Sequence, residues 1–169
     1  MTKSVKMISY FNPEIRVSIL VPPGWKGQVV HEAQFRLFGA PESRYDDYRP
    51  TMSYLFARPE GYGANWLEPV IAQSARDMRQ EYHQFRLEQE ARFTLSSGLP
   101  TYVRWFEWQD EDSGLHFSQL QSFMRASAVS MYLVNAATLK PLKNDHMPAF
   151  EAVLKSTRII PPMLSGGTQ

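Results

Sequence analysis

The sequence predicts an α+β fold in which an antiparallel sheet is sandwiched between helices, an αβα sandwich. Three observations carry this reading. The run Thr101-Tyr-Val-Arg-Trp-Phe-Glu-Trp108 places Tyr102, Phe106 and Trp108 on one face of an extended strand and Val103 and Trp105 on the other, so both faces need cover. Further strand-like runs follow at 115–125 and 128–137 across short connections, the pattern of an antiparallel meander. Two amphipathic helical stretches, beginning near Asn65 and near Asn144, supply the covering layers.

The N-terminal half is built of short strands. Residues 5–11 alternate weakly, and 15–21 alternate more clearly before Pro22, Pro23 and Gly24 end the run. A polar passage follows Trp25. Residues 33–38 then put Phe35 and Leu37 on one face and stop at Gly39, and 51–57 resume as a strand closed by Pro59 and Gly61. Between them, 40–50 reads as a surface excursion carrying Tyr45 and Tyr48 among Arg44, Asp46, Asp47 and Arg49. It serves either as a recognition loop or as a loop whose tyrosines fold back onto the core.

The first helix has Asn65 as a candidate cap, Glu68 to complete a capping box, and Pro69 in the first turn. Leu67, Val70, Ile71, Ala75, Met78 and Tyr82 recur at helical spacing. The run 85–95 then has period-two apolar positions at Phe85, Leu87, Phe93 and Leu95, interrupted at Gln89 and Ala91. Near the C-terminus, Asn144 or Asp145 is expected to cap a second helix with Pro148 in its first turn and Met147, Phe150, Val153 and Leu154 as its apolar stripe. Residues 1–162 are expected to form one domain and 163–169 a disordered tail.

Composition narrows the function classes. A chain of 169 residues, 43% hydrophobic and 13% aromatic, has enough apolar material for one substantial core. The formal net charge of +1 favours neither a nucleic-acid surface nor a polybasic membrane surface. With no cysteine, disulfides, thiolate metal sites and thiol nucleophiles are excluded. No run approaches the about 20 apolar residues that span a bilayer, and no signal peptide is visible, so a cytoplasmic location is the expectation.

At this point the order of elements resembles the Mog1/PsbP-like superfamily, which includes the bacterial DcrB-like (DUF1795) proteins. The matching landmarks are Tyr10-Phe-Asn-Pro13 with Val17-Ser-Ile-Leu-Val-Pro-Pro-Gly-Trp25, then Asn65-Trp-Leu67, Gly98-Leu-Pro-Thr-Tyr-Val-Arg-Trp105, and Phe150-Glu-Ala-Val-Leu-Lys-Ser-Thr-Arg158. They span Ser9 to Ile160. The resemblance implies an antiparallel sheet between helical layers. It also implies a non-enzymatic role, since the superfamily includes a Ran-binding import factor, photosystem II subunits, lipoproteins and type VI secretion chaperones that shield hydrophobic effector segments.

No catalytic, cofactor or metal signature competes with that reading. His31, His83, His116 and His146 lack metal-ligand spacing, Asp110-Glu-Asp112 is closed too soon by Gly114 for a calcium loop, and no Gly-x-Ser-x-Gly or phosphate loop is present. The expectation is a binding module for a protein partner, with no cofactor and with a homodimer compatible with the sequence. Tyr102, Phe106, Trp108, Phe117, Gln119, Gln121, Tyr45 and Tyr48 are its candidate contact residues. Gln119 and Gln121 share a strand face with Phe117 and Phe123 and would be costly to bury unpaired, which favours an open face lined by Met124 and Met131. The alternative is a small-molecule pocket between sheet and helix, with His116 and Glu107 as an acid/base pair.

Overall fold

The computed structural model describes residues 6–161, so the predicted tail lies outside the described residues. Strands β1 (Ile8–Asn12), β2 (Val17–Val21), β3 (Lys26–His31), β4 (Gln34–Phe38) and β5 (Thr51–Ala57) precede helix α1 (Leu67–Glu81). Strands β6 (His83–Thr94), β7 (Pro100–Gln109), β8 (His116–Arg125) and β9 (Met131–Leu139), helix α2 (Lys143–Lys155) and strand β10 (Arg158–Ile159) complete the order. The fold is α+β, as the alternation predicts. Seven strands form one antiparallel sheet in the order β3-β4-β5-β9-β8-β7-β6, and β1-β2-β10 form a second.

The small sheet departs from the expected plain sandwich. Helix α1 covers one face of the large sheet, while α2 and the small sheet together cover the other. The main core lies on the α2 side, where Phe150, Val153 and Leu154 meet Val17, Ile19, Val103, Leu120 and Val134, each at most 1% exposed. A smaller cluster of Trp66, Ile71, Tyr102, Phe123 and Met131 fills the α1 side. Met124 and Met131 are both buried, so they are core residues rather than an adaptable surface.

Local chemistry explains the remaining differences. Strand β3 falls in the polar passage after Trp25, and every one of its residues is exposed, so no alternation marks it. Asn65 does not cap α1. The N-cap is Trp66, buried and held by its indole N–H donating to the Ala128 carbonyl at 2.7 Å. Helix α2 starts at Lys143, directly after a 3-10 turn over Lys140–Leu142, which places Asn144, Asp145 and Pro148 inside the helix. Pro148 is tolerated on an exposed face at the cost of one helical hydrogen bond. The interruption at Gln89 is real: β6 shifts register against β7 between Leu87 and Gln89.

Tyr10 and Gly27 join the two sheets. The Tyr10 ring packs against Phe35, tilted by 42° with centroids 5.2 Å apart, and lies so close over Gly27 that a Cβ there would sit 2.3 Å from the ring. Gly27→Ala should therefore destabilise the fold by about 1 kcal/mol through overpacking, in spite of alanine's better backbone entropy. Urea denaturation checks this, with the loss expected to vanish in a Tyr10→Ala background.

Candidate functional site

The α1 face of β7 and β8 holds most of the predicted contact residues, and burial divides them. Tyr102 and Phe106 are 3% and 1% exposed beneath α1, so they belong to the core and are corrected as contact residues. Burial and the hydrogen bond to Glu90 push the Tyr102 hydroxyl up to about 12, so it is neutral. Gln121 is also buried, but it is not unpaired. Its carbonyl oxygen accepts from Arg104 Nε at 2.9 Å, and its amide donates to Asn135 at 3.0 Å.

Trp108, Phe117, Gln119, Tyr45 and Tyr48 remain half-buried at the surface. Trp108 and Phe117 are cross-strand partners stacked at 5.0 Å, and the Trp108 indole N–H donates to Gln119. Phe117 lies 6.4 Å from the Tyr48 ring, whose hydroxyl donates to the Ala137 carbonyl at 3.3 Å. Burial pushes the Tyr48 hydroxyl up to about 12. Of the two readings of the 40–50 loop, Tyr48 thus folds back onto the sheet. Tyr45 sits on the 3-10 turn Ser43–Tyr45, just before the left-handed pair Asp46 and Asp47.

The sequence reading missed the fourth ring. Tyr82 reads as part of the apolar stripe of the first helix, but α1 ends at Glu81 and Tyr82 is its extended C-cap. That turn lays Tyr82 on Trp108 at 4.6 Å, with only 14° between the ring planes. Tyr82, Trp108, Phe117 and Tyr48 form one continuous aromatic row. Beyond it, α1 packs mainly against β6 and β8, and its cluster reaches only Met131 and Leu133 of β9 and Ala57 of β5, so the Ala137 end of β9, the Thr51 end of β5 and β4 are less covered on this face. Leu133, Ala137, Thr51, Leu55 and Phe38 lie on this face and are half-buried, with the polar row Asn135, Ser53 and Arg36 in register between them.

On the opposite face, Glu107 is engaged by cations. It pairs with Lys140 at 3.0 Å, Lys143 at 3.5 Å and Arg86 at 3.7 Å, while His116 is exposed and pairs across the strands with Gln109. Burial alone would raise the Glu107 carboxyl, but hydrogen bonding to Lys140 and Glu88 and the charges of Lys140 and Lys143 outweigh it and hold it below the usual carboxylate range. An anionic Glu107 held by lysines is a structural ion cluster and a poor general acid. His146 bridges Thr138 at 2.6 Å and Glu42 at 3.2 Å, fastening the 40–50 loop to α2. Among the described residues no group of three or more His, Asp or Glu is placed to hold a metal ion, and no helix is long and apolar enough to cross a membrane.

No protein-family model matches the chain, and no curated protein sequence matches it. Solved structures do. LpqN of Mycobacterium tuberculosis, involved in cell envelope biogenesis, superposes with a TM-score of 0.67 at 15% identity, over 92% of this chain and 91% of that one. The Ran-binding protein Mog1p of Saccharomyces cerevisiae gives 0.62 at 9% identity, over 93% and 97%. The cyanobacterial PsbP of Synechocystis sp. PCC 6803 gives 0.60 at 14% identity, over 94% and 95%. The chain has the Mog1/PsbP fold. Likeness at this identity speaks for architecture, and it agrees with the landmark residues.

The depressed Glu107 carboxyl has a consequence for acid stability. Its contribution is present above the unfolded-state value of about 4.3 and is lost as pH falls through the lower folded value. Urea midpoints measured from neutral pH downward should therefore fall more steeply below about pH 4 in the parent protein than in Glu107→Gln. Parallel profiles would contradict the assignment.

Proposed function

We propose that this chain is a non-enzymatic protein-binding module that holds an apolar segment of a partner against the less covered half of the α1 face. The observation that carries the reading is the four-ring row of Tyr82, Trp108, Phe117 and Tyr48 bordering the part of the sheet that α1 covers least. Large rigid rings with a nearby polar group, here Gln119, are the side chains that dominate binding energy at interfaces. Tyr45, half-buried on the 40–50 loop that also carries Tyr48, is also a candidate contact.

The finer role is that of an adaptor or chaperone for a hydrophobic segment, as in the type VI secretion chaperones of the superfamily that the landmark residues resemble. A fold neighbour that binds a protein, the Ran-binding Mog1p, supports the general use of this architecture for protein recognition. The ion-paired state of Glu107 weighs against acid/base chemistry at the one pair of residues the sequence offered for it.

The reading is tested with a photo-crosslinker at Gln119, introduced in the native host. It should capture a defined partner through an apolar segment, and Phe117→Ala or Trp108→Ala should reduce capture by about tenfold while the circular dichroism stays unchanged. Recovery of free monomer alone, or capture indifferent to both substitutions, would overturn it.

A further inference from the structure

On the face opposite the aromatic row, α2 packs over β2, β8 and β9, and strands β6 and β7 extend past it as a ledge. The step between helix and ledge holds two adjoining cavities of about 290 and 440 Å³. Both are bounded by Gln89, Trp105 and Glu151. Met147 and Pro148 make the apolar wall at one end, and Ala91, Phe93 and Leu154 make it at the other.

Glu151, in the middle of this groove, differs from the other acidic groups nearby. Glu88 and Glu107 are each met by lysine or arginine. Glu151 is half-buried, and its partner among the described residues is the neutral indole N–H of Trp105 at 3.0 Å. Lys155, one turn further along α2, borders the second cavity without pairing with it. A half-buried carboxylate held at the N–H edge of an indole, with no cation paired to it among the described residues, is complementary to a cation that enters the groove beside both groups. Apolar walls on either side suit apolar neighbours of that cation.

The length of the groove selects the kind of ligand. From Lys143 to Lys155 the helix rises about 18 Å, the span of about five residues of extended chain. We infer that the groove along α2 binds a short extended peptide segment of a partner in which one arginine or lysine, flanked by apolar residues, meets Glu151 and Trp105. This surface is separate from the aromatic row, so one can fail without the other.

The test uses a capped, fluorescein-labelled peptide, Leu-Ala-Arg-Ala-Leu, and its twin with neutral citrulline in place of arginine. The arginine peptide should bind saturably and shift the Trp105 indole N–H resonance. Citrulline replacement and Glu151→Gln should each weaken binding about tenfold, and the two together no more than either alone. Glutamine still accepts the Trp105 N–H, so this variant keeps the fold, and Phe117→Ala should leave the affinity unchanged. Absence of saturable binding, equal affinity for the two peptides, indifference to Glu151→Gln, or an unmoved Trp105 resonance would each overturn the inference.

Discussion

A guanidinium buried without a carboxylate partner among the described residues sets the geometry of the α1 side. Arg104 is 1% exposed at the centre of β7. Its donors are met by Gln121, by the Ser74 hydroxyl at 2.7 Å and by the Ile71 carbonyl at 3.4 Å, and its plane lies within 6 Å of the rings of Tyr102 and Phe123. Burial pulls its pKa down, with the nearby Tyr102 and Glu90 acting against that loss. A charge removed from water is tolerable only while its hydrogen bonds are complete. The network therefore fixes the β7–β8 register that opposes Arg104 to Gln121, and it fixes where α1 must lie to bring Ile71 and Ser74 within reach.

Much of the remaining architecture follows from that placement. With α1 held over β6 to β8, its chain leaves the helix at Tyr82 directly above Trp108, which extends the aromatic row to four rings. The same placement leaves β4 and the Ala137 and Thr51 ends of β9 and β5 less covered on this face. On the other face, α2 is drawn toward β2 by the small sheet, so the β6–β7 ledge stays open and the groove beside Trp105 forms. The two candidate binding surfaces are the places where each covering layer stops short of the sheet edge.

The amino-acid sequence discloses the parts of this arrangement that depend on local periodicity. The two-faced strand at 101–108, the amphipathic stripe of α1 and the irregularity at Gln89 were legible because burial imposes a period on apolar residues. Strand β3 was not, because an exposed edge strand imposes none. Nor could alternation say that β1 and β2 form a separate sheet: it tells which face a residue occupies, not which strand lies beside it. At the candidate site, Trp108, Phe117 and Gln119 were visible as neighbours on a hairpin. Tyr82 was hidden by its place at a helix end, and Glu151 by the 46 residues that separate it from Trp105. Gln121 argued for an open face only until its buried partner, Arg104 on the adjacent strand, was taken into account.

The central claim, that the α1 layer depends on a satisfied buried cation, is tested most directly by a double-mutant cycle on Arg104 and Gln121 measured by urea denaturation. Gln121→Leu strips the guanidinium of its principal acceptor and should cost about 3 kcal/mol, and Arg104→Met should cost less, because the Ser74 hydroxyl at 3.3 Å still donates to the Gln121 carbonyl. The double variant, which replaces both polar groups with apolar ones of similar shape, should cost far less than the two losses together. A Gln121→Leu loss below about 1 kcal/mol, or losses that simply add in the double variant, would contradict the account.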